Sequence, residues 1–138
     1  MARAPIEVLR RVSLFEGLDD GELTRLADRF QERTVPEGGV VVEEGSTGTS
    51  FFMIAEGEAN VSVGGDVKTT LGPGECFGEM AVIDEDVRSA SIVAVTDLRL
   101  YFLTPWEFRP FVREQPDVAW KLLQSLSRRL RAAQAERG

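Results

Sequence analysis
The sequence predicts a mainly β domain, an antiparallel sandwich or barrel, framed by helices at both ends. Two observations predict it. Ten of the thirteen glycines lie between Gly38 and Gly78, singly or in pairs, separating short β-branched or aromatic runs. Before and after that region the apolar residues recur at spacings of three and four, the period of a helix with one buried face.

Taken in order, residues 5–12 suit a short helix, and Ser13 to Leu18 read as a connector. Asp19 or Asp20 can cap a helix from about Glu22 to Phe30, with Leu23, Leu26, Ala27 and Phe30 on its buried side. The strand runs follow: Val40–Val42, Ser50–Ala55, Ala59–Val63 and Val67–Leu71. Gly64-Gly65-Asp66 is a tight-turn signal between the last two. Gly74 and Gly78 bracket a further short strand. Ala90–Val95 and Leu98–Leu103 form another strand pair, turning at Thr96-Asp97. Pro105 then suits the first position of a helix running from Trp106 to Val112. Pro116 starts a second helix, whose apolar stripe is Val118, Ala119, Leu122, Leu123, Leu126 and Leu130. Trp120 reads as core packing, and Arg128, Arg129 and Arg131 complement the negative end of a helix.

The 138 residues suffice for one domain, with N-terminal helices at about 5–30, strands at about 31–104 and C-terminal helices at about 105–135. A composition of 43% hydrophobic and 28% charged residues is that of an ordinary globular chain. The net charge of −7 argues against direct DNA binding and against docking on an anionic membrane surface. With no histidine, imidazole acid–base catalysis and the commonest metal ligand are excluded. The lone Cys76 reads as a small buried hydrophobe and fits a reducing compartment. No apolar run approaches a membrane span, and the opening residues lack a signal peptide's apolar core, so the expected location is cytoplasmic. Asp84-Glu85-Asp86 reads as a solvated acidic loop, not a metal site.

The chemistry concentrates between Phe77 and Ala90. Small residues at Gly78 and Ala81 let an anion approach backbone N–H groups, and a helical turn begun at Gly78-Glu79-Met80-Ala81 favours negative charge there. Glu79 is an acceptor suited to a ribose hydroxyl. Arg88 is a permanently charged fork able to hold two phosphate oxygens, with the Ser89 hydroxyl beside it. One arginine plus amides matches the single charge of a cyclic phosphodiester.

Phe77-Gly78-Glu79-Met80-Ala81-Val82-Ile83, a short spacer and Arg88-Ser89-Ala90 resemble the phosphate-binding cassette of the cyclic-nucleotide-binding domain family. That family is shared by catabolite activator proteins, protein-kinase regulatory subunits and cyclic-nucleotide-gated channels. The nine-residue step from Glu79 to Arg88 is similar to that of the kinase and channel branches. Leu14-Phe15-Glu16-Gly17-Leu18 and Phe52 to Gly57 extend the resemblance over roughly Leu14 to Arg131. One departure is Val87, where many members have proline before the arginine.

The resemblance implies an antiparallel β-roll, jelly-roll-like, with a pair of C-terminal helices acting as a lid. It also implies the site residues. Glu79 would accept from the ribose 2′-OH, and Arg88 would pair with the phosphate. Amides of Gly78, Met80 and Ala81 would complete the cradle, Ser89 would sit near phosphate and base, and Phe77 and Ala90 would flank the cassette. Val61, Val63 and Met80 would line the base pocket. On the lid, Arg129 stands where some bacterial channel domains cover the base, with Trp120 or Leu126 as apolar alternatives. The expected ligand is cAMP, with cGMP possible, and no further cofactor. The expected role is a ligand-responsive regulatory module, not an enzyme, acting on an unknown effector protein or domain, possibly as a homodimer. The alternative is a non-binding β-roll used for interaction or dimerisation.

Overall fold
The structure, a computed structural model, describes residues 4–45, 50–78, 83 and 90–137. Helix α1 (Ile6–Leu9) leads through a 3-10 turn (Ser13–Phe15) to α2 (Asp20–Ala27). Eight strands follow: β1 (Gln31–Val35), β2 (Val40–Val42), β3 (Phe51–Glu56), β4 (Ala59–Val63), β5 (Asp66–Leu71), β6 (Cys76–Phe77), β7 (Ser91–Ala94) and β8 (Leu98–Leu103). Two helices close the chain, α3 (Pro105–Glu114) and α4 (Pro116–Arg137).

The strands form two four-stranded sheets in the orders β1-β8-β3-β6 and β2-β7-β4-β5, and every pairing is antiparallel. This is the expected β-roll. Strand period two sorts the core. On β3, Phe52 and Ile54 point between the sheets, where they meet Val41, Ala59, Ile92, Ala94, Leu98 and Leu100. Phe51 and Met53 point the other way, into a second cluster with Tyr101, Leu103 and the helices. Phe51 is fully buried there, with Phe15 and Phe30 both edge-on to it at 5.8 Å. A strand buried on both faces reads as an unbroken apolar run, which is what Phe51-Phe52-Met53-Ile54 is.

Local rules explain the elements that matched. Gly64 and Gly65 both hold positive φ, 60° and 87°, and join β4 to β5 through a two-residue turn. Asp19 caps α2: its side chain accepts from the Glu22 N–H, while the Glu22 carboxylate accepts from the Asp19 N–H. The helix ends at Ala27 rather than running to Phe30, because Arg29 and Phe30 donate back three residues in a tightened last turn. All four expected apolar positions of this segment are buried. Asp19→Ala is expected to lower stability by about 1 kcal/mol, read by chemical denaturation.

One strand was not foreseen, and two expectations differ. Strand β1 has no apolar alternation, and only Val35 is buried. It is an edge strand held by its ladder with β8. Trp120, expected in the core, is 63% exposed, and Leu123 and Leu130 are exposed with it. Of the expected stripe, Val118 and Leu122 are buried and Leu126 packs against the same cluster; with Ser125 they face the 3-10 turn and α3. Helix α4 carries apolar residues on more than one side, and docking selects one of them. Cys76 is half-buried, not fully buried, at the margin of the helix-facing cluster.

Candidate ligand site at the cassette
The cassette begins on a strand of two residues, too short to hold itself. It is held to β3 by its own pairing and by the two residues before it. Ile54 N–H donates to the Glu75 carbonyl at 2.9 Å, and Gly74 N–H donates to the Ile54 carbonyl at 2.8 Å. The Glu75 side chain closes the preceding turn by accepting from Gly72 N–H at 2.8 Å. Met53 and Phe52 then pair with Cys76 and Phe77.

The Phe77 ring stacks on Phe52, with centroids 5.1 Å apart and planes 21° off parallel, and Phe52 leans on Phe102 at 6.1 Å. This aromatic ladder across β6, β3 and β8 fixes the direction in which the chain leaves at Gly78, whose φ is +84°. Phe77→Leu keeps most of the volume but loses the stack, and a loss of about 1 kcal/mol in a denaturation midpoint is expected.

Register places the other end of the cassette. Ala90 is half-buried and precedes β7, where Ser91 pairs with Ser62 and Ile92 with Val61. Phe52 lies five residues before the Gly57 turn that joins β3 to β4, and Val61 four residues after it, at the middle of β4. Val61 and Phe77 pack against the same inter-sheet cluster. Val63, two residues further along β4, is 39% exposed. Phe77 on one sheet and Ser91 on the other therefore both lie at the end of the roll where Val61 and Val63 lie. Glu44 braces that end: its N–H donates to Ser91 Oγ, and its carboxylate accepts from Gly64 N–H, both at 2.9 Å.

Of the expected site residues, the structure thus brings Phe77, Gly78, Ala90, Val61 and Val63 to one end of the roll. Glu79, Met80, Ala81, Arg88 and Ser89 lie outside the described residues, as does the acidic run Asp84–Asp86. Arg129 is half-buried on α4, four residues beyond Ser125 on the inward stripe. Reading the sequence missed Phe52 as the platform for Phe77. The Phe51-Phe52 doublet was the available signal, since adjacent strand residues serve opposite faces.

The opposite end of the roll holds a surface groove of about 380 Å³ beside Pro36, Asp97 and Arg99. Its one cation is already satisfied. Arg99 donates to Glu56 at 3.0 Å and to the Tyr101 hydroxyl at 2.9 Å, and Glu32 stands 3.6 Å away. The hydrogen bonds to Glu56 and Tyr101 hold its pKa above the ordinary arginine value. Among the described residues there is no cluster of three or more metal-ligating side chains, and no helix long and apolar enough to cross a membrane.

Two antiparallel sheets with helices at both ends define a β-roll. The sequence model of the cyclic nucleotide-binding domain matches residues 32–115, and the chain belongs to that family. It is 39% identical over 128 residues to the cyclic AMP receptor protein of Thermus thermophilus, covering 89% of this chain and 59% of that protein. It is 34% identical over 113 residues to a cyclic nucleotide-gated potassium channel of Mesorhizobium japonicum, covering 82% of this chain and 31% of the channel. The crystal structure of the N-terminal domain of a transcriptional regulator from Streptomyces coelicolor superposes with a TM-score of 0.86 at 30% identity, over 91% of this chain and 94% of that one. The chain spans less than two thirds of the length of the curated relatives it matches.

Proposed function
We propose that this chain binds a cyclic nucleoside monophosphate, cAMP in preference to cGMP, and acts as a ligand-responsive regulatory module without catalysis of its own. The observation that carries the reading is the clamped β6 strand. It sets Phe77 and Gly78 at the Val61 end of the roll, and the sequence that follows them resembles the family's cassette. Glu79 would hold the ribose, Arg88 and the amides of Gly78, Met80 and Ala81 the phosphate, and Val61, Val63 and Met80 the base. The preference for cAMP is supported by the Thermus relative, which is named a cyclic AMP receptor protein. Helix α4 would serve as the lid, with Arg129 toward the base. A ligand shifts such a helix only through contacts it makes in one position and not the other. The effector, whether a further domain or another protein, would read that shift.

Isothermal titration calorimetry on the chain with cAMP and with cGMP tests the reading. A saturable single-site heat is expected, stronger for cAMP. No heat from either nucleotide at millimolar concentration would overturn it. The exposed Trp120, Leu123 and Leu130 of α4 favour one second reading, a β-roll used for self-association. Failure of both titrations together with a dimer in sedimentation would establish it.

A further inference from the structure
Glu22 is 6% exposed, and among the described residues it is the one charged side chain buried this deeply. Burying a carboxylate is costly unless it is paired and hydrogen-bonded. Its Oε1 accepts twice. One donor is the Asp19 N–H at 3.0 Å, closing the cap of α2. The other is Lys121 Nζ at 2.6 Å, from α4, 99 residues further along the chain. The hydrogen bond to Glu22, with Asp19 and Asp117 adding to it, holds the Lys121 ammonium above its ordinary pKa, so Lys121 is cationic at neutral pH.

A second tie lies seven residues later on α4. Arg128 Nε donates to Glu16 at 3.2 Å, and its Nη2 donates to the fully buried Ser125 at 3.2 Å. Seven residues make two helical turns, so Lys121 and Arg128 share one flank of α4. Both ties end on the short segment from Glu16 to Glu22. Gly17 lies between them, and a Cβ there would stand 3.8 Å from both Lys121 Cβ and Arg128 Nη2. That segment is laid directly along α4.

We infer that Glu22 is a coupling residue, which makes the seating of α4 and the closure of the α2 cap a single two-state event. When α4 lifts, the buried carboxylate loses its cation and turns to water. It then releases the Asp19 amide, and the first turn of α2 opens. Movement of α4 therefore leaves the roll through residues 16–22. The coupling does not depend on cyclic nucleotide binding and is tested without ligand.

The measurement is amide hydrogen exchange on the full chain. Lys121→Met removes the cation and keeps the stem. The Asp19 and Glu22 amides are expected to exchange at least tenfold faster, while those of β3 and β8 are unchanged. Lys121→Arg restores the charge and should restore most of the protection. Coupling is reciprocal, so Asp19→Ala is expected to accelerate exchange along residues 121–128 by a similar factor. The inference is overturned if Lys121→Met leaves the Asp19 and Glu22 amides unchanged. It is also overturned if every amide, including those of β3 and β8, accelerates together. That outcome would mark a global loss of stability rather than a local coupling.

Discussion

Arg88→Ala is expected to weaken cyclic nucleotide binding by about two to three orders of magnitude. In the proposed site its guanidinium faces the one full charge of the ligand. A hydrogen bond to a charged group contributes about 1.5–3 kcal/mol, and the arginine fork supplies two of them. Their loss leaves a phosphate desolvated and without its counter-charge, and each 1.4 kcal/mol is a factor of ten. Arg88→Lys keeps the charge but not the planar fork, so about a tenfold loss is expected. Among the described residues, the two buried clusters are built of apolar side chains and hold no charged residue. The ligand-free melting temperature should therefore be nearly unchanged. Calorimetry with each variant measures the effect, and full affinity in Arg88→Ala would place the nucleotide elsewhere.

Gly57→Ala is expected to cost about 3–5 kcal/mol of folding stability. Gly57 makes the turn that carries the chain from β3 in one sheet to β4 in the other, with φ at +93°. An L-residue there is strained by about 1–2 kcal/mol. The larger part is steric. A Cβ would stand 2.2 Å from the Asp97 carbonyl oxygen, 2.9 Å from Thr96 Oγ1 and 3.0 Å from Leu98 Cδ2. The carbonyl is backbone and cannot swing aside. The neighbouring bonds, Val95 N–H to the Glu58 carbonyl at 2.9 Å and Glu58 N–H to Thr96 Oγ1 at 3.0 Å, hold the two turns together. Gly64→Ala separates the two causes. Its φ is +60°, yet a Cβ there meets nothing within 4 Å, so it should show the strain alone, about 1 kcal/mol. Urea denaturation of both variants gives the comparison. Equal losses would mean that the Gly57 contacts relax freely.

Much of the fold was legible because it is locally encoded. Strands β2, β4 and β8 begin and end where their β-branched or aromatic runs do. Thr104 caps α3, and Pro105 stands at its start. The resemblance to the family's cassette was legible for the same reason, since its residues are nearly contiguous. Strand β1 was not: Gln31-Glu32-Arg33-Thr34 is polar, and only its pairing with β8 makes it a strand. The platform under Phe77 was half legible, because two adjacent phenylalanines were visible but not which one faced β6.

The sequence alone settled the order of helix, sheet and helix, the glycine turns and the resemblance to a phosphate-binding cassette. Each is written in neighbouring residues, through dihedral preference, side-chain period and anion chemistry. Tertiary structure decided which stripe of α4 turns inward, that Phe52 supports Phe77, and that Glu22 is shared between a cap and Lys121. Those choices join residues far apart in the chain, 99 positions in the last case. The energy of such a contact exists only after docking has buried both partners together. A helix with apolar residues on several sides, such as α4, does not indicate beforehand which side will be buried.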